Sequence, residues 1–74
     1  MFVFSPALLV ARRVEAGLTR QGLVLKSGVA YQQVYEYENG RHEPSKPTVL
    51  KLSSALGCKP QDLFQPDPAF EAVG

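Results

Sequence analysis

Four glycines divide most of this chain into short helical segments, and their spacing limits the possible folds more than any other feature. Gly17, Gly28, Gly40 and Gly57 each follow a stretch of residues with helical character. Glycine commonly stands just beyond the end of a helix, because it adopts a left-handed backbone there without steric cost. The longest stretch between two of them, residues 41–56, has 16 residues. The pattern therefore predicts several short helices, and it leaves no run of the roughly 20 apolar residues that a transmembrane helix needs.

A residue that favours helix initiation stands before most of the predicted helices. Ser5, Thr19 and Ser45 can each accept a hydrogen bond from an unpaired N–H of the first turn. Proline tolerates the first helical turn because its missing N–H is not needed there, and such prolines follow both serines. The predicted helices run from Ser5-Pro6 to Ala16, Thr19 to Lys26, Tyr31 to Glu38, Ser45 to Leu56 and, as a last short turn or helix, Pro60 to Phe64.

Apolar side chains recur at helical spacing within these segments and predict one core. The inward positions are Leu9, Ala16, Leu23, Val24, Val29, Val34, Tyr37, Val49, Leu52 and Leu56. Arg13 is the anomaly, because it is a charged residue on the apolar face of the first helix. A hairpin at Asn39-Gly40 would need a second alternating strand, which residues 41–47 cannot supply. We therefore predict an all-α, compact five-helix bundle over residues 1–64, and a loose tail over residues 65–74 because Pro66 and Pro68 break any further helix.

Composition excludes several classes of function. The 74 residues include eight Lys or Arg against seven Asp or Glu, so the net charge is +1, which argues against a polybasic tail or an acidic disordered segment. A single cysteine, Cys58, and a single histidine, His42, exclude a disulfide framework and a multi-cysteine zinc site. No nucleophile–base pair, carboxylate pair or phosphate loop is recognisable, so we expect no enzyme, no cofactor and no metal. The first apolar run lacks a preceding basic residue and is interrupted at Ser5-Pro6, so a cytoplasmic location is expected.

The informative feature is a turn of about three residues, with Gly28 in it, between the second and third predicted helices. Helices joined in this way cross steeply and expose the amino-terminal half of the second helix. The surrounding sequence resembles the phage repressor and Cro family of helix-turn-helix DNA-binding domains, the XRE family, over roughly residues 7–64. The matching positions are Arg13, Gly17-Leu18-Thr19, Leu23, Gly28-Val29, Val34, Glu38-Asn39-Gly40, Pro44-Ser45, Leu52, Ala55-Leu56-Gly57 and Leu63.

The resemblance implies a lambda-repressor-like bundle whose third helix enters the major groove of double-stranded DNA. By position, Tyr31, Gln32 and Glu36 match the base-facing sites, whereas Gln33 and Arg41 match sites that meet phosphate. Glutamine pairs with adenine, glutamate accepts from cytosine, and tyrosine offers apolar contact to a thymine methyl group. The resemblance also implies a structural ion pair between Arg13 and Glu38.

One departure from the family concerns the start of the second helix. The family often has glutamine there, whereas this chain has Arg20 with Gln21 beside it. Arg20 either holds a phosphate or is a solvated surface charge. The third helix has no basic residue and carries Glu36 and Glu38, and residues 1–46 hold six basic and four acidic side chains, a modest excess of +2. We therefore expect weak non-specific affinity for DNA.

Two functions follow from this sequence. The first is sequence-specific DNA binding by a small bacterial or phage transcriptional regulator, such as a repressor, acting as a homodimer that forms either in solution or only on DNA. The alternative is a protein-interaction module, or an antitoxin-like partner, with weak or no DNA binding. The position of the positive charge distinguishes the two functions. DNA binding is favoured if Arg20, Arg41 and Lys46 flank the third helix on one face, and the interaction module is favoured if acidic residues dominate that face. The apolar ends of the chain either cap the core or form an oligomer contact: Phe2, Phe4, Phe64, Phe70 and Val73.

Overall fold

The computed structural model describes residues 1–69, which form four α-helices, one 3-10 helix and two short strands. In chain order these are β1 (Phe2–Phe4), α1 (Pro6–Glu15), α2 (Arg20–Ser27), α3 (Tyr31–Glu38), α4 (Lys46–Leu56), the 3-10 helix (Pro60–Leu63) and β2 (Phe64–Pro66). The prediction of a mostly helical fold is confirmed. The predicted last short turn or helix is a 3-10 helix of four residues, Pro60–Leu63, so the predicted bundle of five helices is not confirmed. Within residues 1–69 no helix has the length and apolar character needed to cross a membrane.

Local capping explains where the first two helices begin. The Ser5 hydroxyl accepts a hydrogen bond from the Leu8 N–H at 3.2 Å, and the Thr19 hydroxyl accepts one from the Gly22 N–H at 3.0 Å. Each bond satisfies one of the N–H groups that a helix leaves unpaired at its start. Ser45 also precedes a helix, but its hydroxyl bonds the Thr48 hydroxyl at 3.0 Å and leaves the backbone uncapped.

All four helices contribute to one core. The fully buried side chains come from α1, α2, α3, α4 and the 3-10 helix: Leu9, Leu23, Val34, Leu52 and Leu63. Val29, Tyr37 and Val49 are buried with them, and Val24 and Leu56 pack against the edge of the core. Ala16 was wrongly placed in the core, because α1 ends at Glu15 and Ala16 is exposed at its cap.

A two-stranded sheet packs against the core, and no strand was predicted from the sequence. β1 and β2 are antiparallel, with Phe4 opposite Phe64. The Phe4 ring packs edge to face on Tyr37 and Phe64, with ring centroids 6.4 and 6.1 Å apart. Each strand has only three residues, too few for alternation to be visible in the sequence. Because β2 includes Gln65 and Pro66, this pairing extends into the segment 65–74 that was predicted as a loose tail.

The apolar ends of the chain thus have different environments. Phe4 is buried and Phe64 is half-buried against the core, whereas 66% of Phe2 is exposed. Phe70 and Val73 lie outside the described residues.

Candidate nucleic-acid interface

The turn between α2 and α3 holds the two helices in a fixed relation. Gly28 has φ of 75°, a conformation that glycine adopts freely and other residues adopt at a cost. Its N–H donates to the Val24 carbonyl at 2.9 Å, and the Val29 N–H donates to the Ser27 hydroxyl at 3.1 Å. The Val29 side chain is buried and anchors the turn to the core. α3 therefore starts in a defined direction.

The outer face of α3 is polar and accessible. Val34 and Tyr37 point into the core, so the helical period directs Gln32 and Glu36 to the opposite side. Gln32 and Gln33 are exposed, and within residues 1–69 neither amide makes a hydrogen bond to the protein. These amides remain available to an external hydrogen-bonding partner.

A second face of α3 is directed to the start of α2. Tyr31, Tyr35 and Glu38 are spaced i, i+4, i+7 and therefore lie along one side of the helix. Arg20 meets this side: its Nε donates to Glu38 Oε1 at 2.8 Å, and its guanidinium carbon lies 5.3 Å from the centre of the Tyr35 ring. Glu38 first and the Tyr31 hydroxyl second raise the pKa of Arg20 above its usual value, so this residue stays charged.

Glu38 is shared by two arginines. Arg13 donates from Nε to Glu38 Oε2 at 2.6 Å and from Nη2 to Oε1 at 3.3 Å, and its Nη1 donates to the Leu18 carbonyl at 2.9 Å. The Glu38 side chain is 1% exposed, compared with 14% for Arg13 and 36% for Arg20. Two cations around one carboxylate leave a net charge of +1. Glu38 is therefore buried and neutralised, although its charge in the sequence argues against DNA binding.

The remaining predicted polar residues lie at the surface around α3 and, unlike Arg13 and Arg20, do not bond Glu38 within residues 1–69. Arg41 follows the end of α3, where its N–H donates to the Glu36 carbonyl at 2.9 Å and its side chain is exposed. His42 Nε2 lies 3.5 Å from Glu36 Oε2, so histidine and glutamate face each other at the surface. Gln21 is exposed in the first turn of α2, and Lys46 is exposed in the first turn of α4.

Two features on other parts of the surface were not visible in the sequence. Burial, and to a smaller extent the charge of Asp62, raises the pKa of the Cys58 thiol. The charge of nearby Arg12 acts in the opposite direction and lowers it. An apolar groove is lined by side chains of α4, the loop before it, the 3-10 helix and β2, namely Pro44, Lys46, Val49, Leu50, Pro60 and Phe64. The only sequence signal for this groove is Leu50, which is apolar but off the core stripe of α4 and 58% exposed.

Two helices joined by a glycine turn, the second with exposed glutamines and with Arg20 and Arg41 near its carboxyl end, define a helix-turn-helix module. Known proteins support this class directly. The helix-turn-helix family profile matches residues 9–63, which is most of the chain. The protein belongs to this family, in its XRE-type branch, whose members are DNA-binding transcription regulators.

Relatives and a solved structure agree with this assignment. An uncharacterized HTH-type transcriptional regulator of Methanocaldococcus jannaschii is 34% identical over 47 residues, 64% of this chain and 71% of the relative. Another, from Sinorhizobium fredii, is 35% identical over 54 residues, 73% of this chain and 70% of the relative. The crystal structure of the restriction-modification controller protein C.AhdI from Aeromonas hydrophila is similar with a TM-score of 0.75 and 31% identity, covering 78% of this chain and 88% of that one.

Proposed function

We propose that this protein is a small transcriptional regulator of a bacterium or phage that reads the major groove of double-stranded DNA with α3, in the cytoplasm. The observation that carries the proposal is the outer face of α3, where exposed Gln32 and Gln33 amides have no bond to the described protein. A helix of this width fits the major groove, in which each base pair presents a distinct set of donors and acceptors. The similarity to a controller protein supports a regulatory role.

Base reading is assigned to Gln32, Glu36 and Tyr31. Gln32 and Glu36 share the side of α3 opposite the core, and Tyr31, at the first position of the helix, is 45% exposed. Gln32 has the paired donor and acceptor that match adenine, and Glu36 accepts from cytosine. The Tyr31 ring offers an apolar contact to a thymine methyl group.

Phosphate binding is assigned to Arg20, Gln21, Gln33 and Arg41. Gln21 stands at the start of α2 beside Arg20. Arg20 bonds Glu38, the last residue of α3, and Arg41 stands just past that residue, so both cations lie near the carboxyl end of α3. Contacts of this kind fix the register of a protein on the duplex and carry no sequence information. Lys46, in the first turn of α4, adds positive charge beyond Arg41.

Homodimeric binding completes the proposal. A single module of this size covers about 600–1,000 Å² on DNA, which is small for tight specific binding. Two copies on half-sites one helical turn apart, about 34 Å, would double that contact. Sedimentation of the free protein, combined with binding to isolated and paired half-sites, tests this part. A protein that binds a single half-site as tightly as a paired site would contradict it.

The decisive experiment first selects a preferred duplex from a random pool and then compares variants on preferred and scrambled duplexes at several salt concentrations. Gln32→Ala should weaken binding to the preferred duplex by about 1–3 kcal/mol and leave the scrambled duplex nearly unaffected. Arg41→Ala should weaken both and reduce the slope of log affinity against log salt by about one.

Gln61, within the 3-10 helix, and Lys59, at its N-cap, are both exposed and serve as matched controls. Their alanine variants should bind as the parent protein does. Equal profiles for Gln32→Ala and Arg41→Ala would mean that α3 does not read sequence. If the selection enriches no duplex, the interaction module becomes the favoured function. The apolar groove beside Leu50 supports that alternative.

A further inference from the structure

Arg20 is held on two sides before any ligand arrives. Glu38 accepts a hydrogen bond from its Nε at 2.8 Å, and the Tyr35 ring lies under its guanidinium at 5.3 Å. The carboxylate is itself fixed, because it is buried and bonded to Arg13. The orientation of Arg20 is therefore determined by α3 and α1, although the residue belongs to α2.

This arrangement leaves one edge of the guanidinium for another acceptor. Nε is the atom that bonds Glu38, and within residues 1–69 neither Nη group bonds this carboxylate, so the distal edge with the two Nη groups keeps donors for another acceptor. The side chain is 36% exposed, and arginine donates in a planar fork that matches a phosphate. A flexible arginine loses rotamer freedom when it binds, whereas one already held in place loses less.

We propose that Glu38 and Tyr35 are positioning residues for DNA binding, which hold Arg20 so that its distal edge donates to a backbone phosphate at the start of α2. This inference rests on the proposed function, because it requires a DNA duplex against α2 and α3. Under this inference Tyr35 contributes to phosphate binding and not to the reading of base sequence, although it belongs to α3.

The test is Tyr35→Leu, made in the parent protein and in an Arg20→Ala background. Removing the ring should weaken binding to preferred and scrambled duplexes alike, by about two- to fivefold, the loss expected for one exposed cation–π contact. Arg20→Ala should weaken both duplexes more and reduce the salt slope by about one. In the Arg20→Ala background, Tyr35→Leu should have no further effect on binding, because Tyr35 acts through Arg20.

Tyr35→Phe is the matched control, because it keeps the aromatic ring and should bind as the parent does. A second readout needs no DNA: the ring current of residue 35 shifts the side-chain proton signals of Arg20 in NMR spectra, and this shift should disappear in Tyr35→Leu and persist in Tyr35→Phe. The same spectra show whether each variant is folded.

Four results would overturn the inference. Equal losses from Tyr35→Leu with and without Arg20 would show that Tyr35 acts independently of it. Unchanged Arg20 signals in Tyr35→Leu would show that the ring does not hold the guanidinium. An Arg20→Ala variant that binds DNA like the parent would refute the phosphate contact while leaving the proposed function intact. If the parent binds no duplex, the proposed function fails and this inference fails with it.

Discussion

Replacing Glu38 with glutamine should destabilise the fold far more than an exposed substitution would. The variant keeps the shape of the side chain but removes the charge that Arg13 and Arg20 share at 2.6 and 2.8 Å. Arg13 is 14% exposed, so its charge would be left partly buried without a carboxylate. Breaking a buried pair by removing one partner costs about 3–5 kcal/mol.

That loss is large for a chain of this size. Domains are stable by about 0.05–0.15 kcal/mol per residue, which for 74 residues is roughly 4–11 kcal/mol. At about 4–8 °C per kcal/mol for a domain this small, Glu38→Gln should lower the melting temperature by about 12–40 °C. Urea and thermal unfolding followed by circular dichroism measure both quantities.

Glu36→Gln is the matched control, because Glu36 is the other glutamate of α3 and its side chain is 26% exposed. This variant should change the free energy of unfolding by less than about 0.5 kcal/mol. Arg13→Met should be less harmful than Glu38→Gln, because Arg20 still neutralises the carboxylate. If Glu38→Gln and Glu36→Gln proved equally stable, the reasoning about the shared buried carboxylate would be refuted.

Three further predictions concern other parts of the molecule. Phe4→Ala should cost about 3–5 kcal/mol in urea unfolding because it empties a buried aromatic site, whereas Phe2→Ala, at an exposed position, should cost little; equal losses would contradict the packing of β1. Gly28→Ala should lower the free energy of unfolding by about 1–2 kcal/mol because φ is 75° at this position. Gly28→Asn should lower it less, because asparagine tolerates this conformation. An unchanged stability of Gly28→Ala in urea unfolding would contradict this prediction. Burial raises the pKa of Cys58, so less thiolate is present at pH 8 and alkylation by iodoacetamide should be slower than in urea-unfolded protein; equal rates would oppose this.

The helices were predictable from the sequence because their start and stop signals are local. Ser5 and Thr19 cap α1 and α2, and the predicted ends of α3 agree with the structure at both residues, Tyr31 and Glu38. The inward positions of α3 and α4 also followed from spacing alone. Such features depend on residues within one helical turn of each other, which a linear sequence places side by side.

The strands and the arrangement around Glu38 were decided by the tertiary structure. β1 and β2 come from opposite ends of the described chain, so neither strand has a local partner that the sequence could reveal. The resemblance to the XRE family implied a pairing of Arg13 with Glu38, but Arg20 was left as either a phosphate ligand or a solvated charge. Its contacts with Glu38 and Tyr35 arise only when the crossing of α2 and α3 brings their side chains within hydrogen-bond and van der Waals range. Contacts between elements require the angle between those elements, and packing around the buried core sets that angle.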